Sequence, residues 1–252
     1  MNLLAIETST ERLSIAILRD GVPFARDIDA GQRHSELAMP LLHELLAEAG
    51  VTLRDVDTIA FRQGPGSFTG VRIAYGLTQG LALNIGRLLV PVPTQMALAA
   101  QTGAARVIVA IDARMGEIYF AAYLRDTASA GKQGGSAGSD WQEVVAPMLV
   151  KPDALPPLDG DGWTAVGSGF DVPALCSQLS ARYGSQIVKV MHGVLPRAID
   201  VALIAAWQLA TTGLASAIAP EHAAPLYLRN KVAMTIDERR EHHAAKSGAT
   251  PS

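Results

Sequence analysis

Ala5-Ile6-Glu7 closes the apolar run Leu3-Leu4-Ala5-Ile6, and 105 residues later the chain reads Ala110-Ile111-Asp112. At the same offset Leu13, Ile15 and Ile17 meet Ile118, Phe120 and Ala122. Leu13, Ile15 and Ile17 alternate with smaller or polar residues, the period of a half-buried strand. Each half therefore opens with a buried strand, an acid at its end, a short turn and an alternating strand. An offset shared by two separate segments points to internal duplication. A repeat outranks local assignments when a fold is chosen.

Asp20-Gly21 then predicts a hairpin, with Phe24 to Ile28 as a third strand. A helix is expected from Ser35 to Ala49, with Leu37, Leu41, Leu42, Leu45 and Leu46 as its apolar stripe and Gly50 as its stop. Pro40 inside that pattern predicts a kink or a later start. Thr58 to Phe61 reads as a strand, followed by a glycine-rich turn and a helix to about Asn84. Leu88 to Val92 is a further strand, and Thr94 is the expected N-cap of a helix ending at Gly103. Three strands, helix, strand, helix, strand, repeated, is the plan of the duplicated actin-like, or ribonuclease-H-like, α/β fold. It predicts two similar subdomains with mixed sheets flanked by helices, over residues 1–104 and 105–236. Residues 126–140, rich in Gly, Ser and Ala, are an expected loop. Residues 237–252 are an expected disordered tail.

Composition narrows the classes. Of 252 residues 49% are hydrophobic and 18% charged, which excludes an intrinsically disordered chain. A net charge of −3 excludes a molecule that binds nucleic acid through its overall charge. Cys176 alone offers no internal disulfide. No signal peptide is expected, because Glu7 interrupts the first apolar run. Val201 to Pro220 carries no charge and is long enough to span a bilayer. Its alanines, with Gln208, Thr211, Thr212 and Gly213, fit a buried helix over about 199–213 better, one able to pack back on the first half. The expectation is a soluble, cytoplasmic protein with no membrane partner.

Gly64-Pro65-Gly66-Ser67-Phe68-Thr69-Gly70-Val71-Arg72 holds three glycines and a proline in its first seven residues. It follows a strand and opens a helix. Free N–H groups at that helix start would suit an anion. A tight strand-to-helix connection would use the same residues. The Lys-Ser/Thr of a P-loop is missing, and Pro65 rules out a nucleophile elbow. In the helix that follows, Arg72, Gly76, Gly80 and Asn84 share one face. Interior glycines cost roughly 1 kcal/mol each relative to alanine, so another helix is expected to approach them, from within the chain or from a second one. With Leu37, Leu41 and Leu45 of the preceding helix, this row is the candidate interface.

Four segments together carry a resemblance. Glu7-Thr8-Ser9-Thr10, the glycine-rich stretch, Ile111-Asp112-Ala113-Arg114-Met115-Gly116-Glu117-Ile118-Tyr119, and Pro225-Leu226-Tyr227-Leu228-Arg229-Asn230 resemble the bacterial TsaB (YeaZ) family, in family order. Arg62-Gln63 departs slightly, since that family often has glycine there. The resemblance implies a role in making threonylcarbamoyladenosine beside the anticodon of tRNA. It implies a subunit without catalytic residues that pairs with TsaD, its paralogue and the catalytic subunit, with the ATPase TsaE joining them. It also implies a homodimer when alone, and contact with tRNA only through its partners. Proteins of the TsaD type carry two metal-binding histidines four residues apart. Here the matching positions are Gln95 and Ala99, and alanine offers no ligand atom.

No metal and no cofactor are expected. His34 and His43 are nine apart, His192 and His222 are isolated, and His242-His243 has no further ligand nearby. In nucleotide-hydrolysing members of this fold an acid after the first strand positions metal or phosphate. Glu7 stands there, with Thr8 and Ser9 as donors and Asp112 at the repeat position. These four are a candidate residual nucleotide site, or simply strand-end residues capping turns. The alternative function is an independent nucleotide-hydrolysing or phosphoryl-transferring enzyme of the same fold. A peptidase finds no supporting constellation.

Overall fold

The structure, a computed structural model, describes residues 1–66, 68–125 and 141–229. Its first half runs β1 (Asn2–Glu7), β2 (Arg12–Arg19), β3 (Val22–Asp29), α1 (His34–Ala49), β4 (Thr58–Gly64), α2 (Phe68–Ile85), β5 (Leu89–Pro93) and α3 (Thr94–Gln101). The second runs β6 (Arg106–Asp112), β7 (Ile118–Arg125), β8 (Trp141–Val150), β9 (Trp163–Val166), α4 (Pro173–Tyr183), β10 (Ile187–Met191) and α5 (Ala198–Thr212). The first sheet has the order β3-β2-β1-β4-β5 and the second β8-β7-β6-β9-β10. In each, the opening strand pairs antiparallel with its hairpin partner and parallel with the strand on its other side. The duplicated α/β fold is therefore present strand for strand. α1 is the exception: between β8 and β9 the second half has only the 3-10 turn Pro152–Ala154.

The register refines the repeat. Ile6 pairs with Ile15, whereas Ile111 pairs with Tyr119 rather than Phe120. One offset cannot hold for both strands of the hairpin. On β2 and β7 the 105-residue offset stands: Leu13, Ile15 and Ile17 and their counterparts Ile118, Phe120 and Ala122 all face the outer layer. On β1 and β6 it slips by one. Leu3 and Ala5 face inward with Val107 and Val109, and Leu4 faces outward with Ile108. A one-residue slip exchanges the two faces of a strand, so the Ala-Ile-acid echo is not the structural equivalence. Thr8, not Glu7, is the counterpart of Asp112.

Between the sheets lies a shared core. Leu3, Ala5, Ala16 and Leu18 from one sheet and Val107, Val109, Ala121 and Tyr123 from the other enclose α3 and α5. Each half's last helix packs on the other half's sheet: α5 on β1 and β2, α3 on β6 and β7. The Ala198 amide at the start of α5 donates to Ser14 Oγ of β2 at 2.7 Å. The uncharged stretch after Ile199 therefore begins as core, with Val201, Ala202, Ile204 and Ala205 buried. From Ala206 to Ala219 it is half-exposed or exposed. α5 with the turn after it is long and apolar enough to cross a membrane by length and composition, at mean hydropathy 1.4. Its first turn, however, carries Asp200, paired to Arg197 at 2.9 Å. Burial pushes the Asp200 carboxyl up, and Arg197 opposes that shift.

Outside the sheets, α1 covers β2 and β3, α2 covers β4 and β1, and α4 caps the second half. α1 runs through Pro40 from His34 and stops at Gly50. Pro40 is exposed, so the carbonyl it leaves unbonded one turn earlier can meet water. Thr94 is the first residue of α3 rather than its cap. Pro93 holds the cap position, and the buried Thr94 Oγ1 finds no partner among the described residues. The expected loop at 126–140 and tail at 237–252 lie outside the described residues.

Tyr183 of α4 stacks on Phe120 with ring centroids 5.6 Å apart, and its hydroxyl donates to Pro156 O at 2.6 Å. Burial pushes its phenol up to about 12, against a small opposing pull from Arg182. The unfolded phenol titrates near pH ~10. A folded value above the unfolded one gives stability that is complete below pH ~10 and lost as pH rises toward 12. Tyr123, shifted the same way by burial, adds to the loss. Urea titrations across that window should show falling stability, with a shallower fall in Tyr183→Phe. An equal slope in that variant would assign the loss elsewhere.

Candidate functional site

The carboxyl ends of parallel strands beside a change in strand direction are where open α/β sheets leave a crevice. Here two such ends face each other. Thr8-Ser9-Thr10 after β1, Gly64–Gly66 after β4 and the start of α2 form one wall of a cleft of about 1100 Å³. Ile111–Met115 after β6 and Ser168 after β9 form the other. Thr94 and Leu98 of α3 and Leu195-Pro196 before α5 line it between the halves.

Glu7 is wholly buried, and beside it lies Arg62, also buried, on the adjacent strand. β1 and β4 pair in parallel with Ile6 opposite Phe61, so their next residues become neighbours. Arg62 Nε approaches Glu7 Oε2 at 3.1 Å, and a guanidinium N–H donates to Oε1 at 3.2 Å. The Ser9 amide donates to Oε1 at 2.6 Å, and the Ser9 hydroxyl donates to the same oxygen. Burial pushes the Arg62 guanidinium down, and Glu7 pulls it back up. The acid that stood as a phosphate or metal anchor is thus half of an internal ion pair.

The other residues of the candidate nucleotide site are also engaged. Thr8 Oγ1 donates to Gly70 O at 2.8 Å. Asp112 accepts the Arg114 amide at 2.7 Å, pairs with the Arg114 guanidinium at 3.2 Å, and its own amide donates to Ser168 Oγ. Thr8 and Ser9 lie on one wall with Glu7 buried behind them, and Asp112 lies on the opposite wall. Two polar atoms on residues lining the cleft, His34 Nε2 and Thr94 Oγ1, are buried without a partner among the described residues. No group of three His, Cys, Asp or Glu able to hold a metal occurs among the described residues.

Close approach explains part of the glycine-rich stretch. A Cβ on Gly70 would lie 2.5 Å from both Ser9 Cα and Thr8 O, and one on Gly66 would lie 2.2 Å from the Arg62 guanidinium. The second half has a matching device that the sequence reading missed. Gly167-Ser168-Gly169 joins β9 to the 3-10 turn before α4. A Cβ on Gly167 would meet Ala110 O at 2.4 Å, with φ at +108°. Its signal was visible: a glycine pair straight after the apolar strand Trp163–Val166.

Arg72, Gly76 and Gly80 form an exposed row along α2, and a Cβ on either glycine would meet nothing within 4 Å. Among the described residues no helix fills that space. Leu83 at the end of the row is 57% exposed, and Ile73 and Leu77 beside it are half-buried. The α1 part of the expected interface is different. Leu41 and Leu45 are buried in the chain's own core, and Leu37 packs half-buried against it. That stripe serves the fold, because the sheet beneath α1 needs it.

A family profile described as TsaD, tRNA N6-adenosine threonylcarbamoyltransferase, matches residues 28–236. The tRNA threonylcarbamoyladenosine biosynthesis protein TsaB of Escherichia coli K12 is 37% identical over 238 residues, covering 92% of this chain and 96% of the relative. Its namesake in Haemophilus influenzae is 34% identical, covering 92% and 95%. The solved structure of YeaZ from Pseudomonas aeruginosa superposes with a TM-score of 0.76 at 33% identity, over 90% of this chain and 99% of that one. The chain belongs to the TsaB (YeaZ) family.

The positions expected for metal histidines in TsaD-type chains lie on α3. In this TsaB-family chain they are Gln95 and Ala99, both fully buried on α3 in the shared core. Both Gln95 amide atoms lack a partner among the described residues. The family segment Pro225–Arg229 lines the cleft and touches both of its walls. The Leu226 amide donates to Gln63 O at 2.7 Å, and Arg229 pairs with Glu117 at 2.5 Å.

Proposed function

We propose that this chain is a non-catalytic partner subunit in threonylcarbamoyl transfer to the adenosine beside the anticodon of tRNA. It docks on a TsaD-type catalytic subunit, organises it together with the TsaE ATPase, and meets tRNA only through them, in the cytoplasm. The observation that carries the reading is the open row on α2. Gly76 and Gly80 are exposed, with nothing within 4 Å of an added Cβ, beside half-buried Ile73 and Leu77. The cleft supports the non-catalytic part: Glu7 is neutralised by Arg62, and Thr8, Ser9 and Asp112 spend hydrogen bonds on their neighbours.

Size-exclusion chromatography with light scattering, on this chain alone and mixed with the TsaD-type subunit of the same organism, tests it. A one-to-one species should form at the expense of a homodimer. Gly76→Leu and Gly80→Leu should abolish it while circular dichroism stays that of the wild type, since their side chains enter empty space. Normal pairing by both variants would remove α2 from the interface. The alternative, an independent nucleotide-hydrolysing enzyme, draws on the α2 N-terminus opening on a cleft where two buried polar atoms, His34 Nε2 and Thr94 Oγ1, have no partner among the described residues. It requires ATP turnover by the lone chain that Glu7→Gln abolishes.

A further inference from the structure

The segment after α5 turns back to the first half and runs along α2 before crossing the cleft. Gln79 donates to Pro220 O at 2.7 Å, and the Tyr75 hydroxyl donates to Ala223 O at 2.6 Å. Arg72 Nε donates to the Tyr227 hydroxyl at 3.1 Å, with its guanidinium 5.7 Å from the Tyr227 ring centroid. Between these points the strap is stitched to the end of β4. Leu226 N donates to Gln63 O, and Gln63 Nε2 donates to Ala224 O at 3.3 Å. All of these anchors lie in the first half.

Two residues later the chain reaches the other wall through a single side chain. Arg229 Nη2 lies 2.5 Å from Glu117 Oε2, and donates to Ala113 O at 3.0 Å and Arg114 O at 3.4 Å. Its Nη1 lies 2.9 Å from Met115 Sδ. These acceptors ring the turn between β6 and β7, where Arg114 and Met115 both have left-handed backbones, φ +64° and +56°. The Arg229 and Glu117 side chains are only 14% and 25% exposed, so their attraction is less screened than that of a surface pair. Elsewhere the halves are joined through α3 and α5, which enclose the shared core.

We infer that Pro225–Arg229 is a latch across the cleft, with Arg229 as its bolt and the β6–β7 turn as its catch. Bolted, it holds the two walls at the separation seen here. Released, the walls remain joined, among the described residues, through the α3/α5 core and separate, admitting solvent or ligand to Thr8–Thr10, Thr69 and Ser168. The position of the Tyr227 contact on Arg72 puts the middle of the strap beside the open row of α2. The inference itself does not depend on a partner binding there.

Hydrogen exchange on the full chain alone, without any partner, is the test. In Arg229→Ala, amides of 111–117 and 63–66 should exchange about tenfold faster, the effect expected for losing one charge-assisted set of bonds. Glu117→Gln, which keeps shape and removes charge, should give a smaller rise at the same amides. Exchange in β2 and β7 should not move. Spin labels at Glu44 and Ser177, one on each half, in a Cys176→Ser background should report a longer and broader distance in Arg229→Ala. Unchanged exchange and distance in both variants would overturn the latch. So would a uniform rise along the whole chain, which would mean that Arg229 supports global stability. Failure to bind a TsaD-type subunit would leave these readouts untouched, so the two readings fail separately.

Discussion

Arg62→Met should cost about 3–5 kcal/mol, the usual loss when one member of a buried ion pair is removed and the other stays charged. Glu7 cannot reach water, since β1 is a central strand and both residues are buried. After the substitution only Ser9 still donates to Glu7. Denaturant titration reads the loss as a lower midpoint, a large share of the 5–15 kcal/mol that holds an ordinary domain. Adding Glu7→Gln to Arg62→Met removes the stranded charge and should recover much of the loss, because the pair itself is worth little net. A loss below about 1 kcal/mol in the single variant would show that the pair is not held dry. The double variant also separates the functions. If the chain is a docking subunit, the variant still supports tRNA modification. If Glu7 anchors a nucleotide for chemistry, modification and turnover both disappear.

That pair marks where reading the sequence reached its limit. Glu7 was singled out as a strand-end acid and Arg62 only as a departure from a family pattern. Nothing local joins residues 55 positions apart. Once β1 and β4 are placed side by side in parallel, Ile6 opposite Phe61 puts residue 7 beside residue 62. The missing information was register, which periodicity does not supply. Register also explains the slip in the repeat. Ala-Ile-acid recurs at one offset, but the β6–β7 hairpin is a residue longer than the β1–β2 hairpin between equivalent pairs, so identical letters face opposite layers.

Much else was legible because its causes are local. Asp20-Gly21 turns the first hairpin with both residues at positive φ, and the leucine spacing of α1 builds the layer over the first sheet. The leucine stripe is a helix face, with Leu41 and Leu45 buried in the chain's own core and Leu37 packed half-buried against it. An apolar stripe looks the same in sequence whether a sheet or a second protein covers it. The glycines of α2 carry the opposite lesson. Their cost to the helix signalled a special surface, and among the described residues no other helix packs over them. The strap was visible only as a motif without a role. Its contacts at Gln63 and Glu117 lie more than a hundred residues away in sequence.

Gly70→Ala should be the most damaging methyl group that can be added to α2. Its Cβ would sit 2.5 Å from Ser9 Cα and from Thr8 O. Both are backbone atoms of the turn that leaves a central strand, so no rotamer change makes room. The first turn of α2 must retreat, and the Thr8–Gly70 hydrogen bond at 2.8 Å goes with it. Overpacking of about 1–3 kcal/mol plus one buried hydrogen bond of about 1 kcal/mol gives a loss of about 2–4 kcal/mol. The retreat also moves Arg72, two residues further on, away from Tyr227. Gly76→Ala on the same helix is the control. Its Cβ meets nothing within 4 Å, so the substitution should stabilise the chain by about 1 kcal/mol through helix propensity alone. The two methyl groups therefore have opposite expected signs six residues apart. If both variants shifted the denaturation midpoint equally, the contact between the α2 start and the Thr8-Ser9 turn would not be what requires glycine at position 70. The row at Gly76 and Gly80 would then need a cause inside the fold rather than a partner outside it.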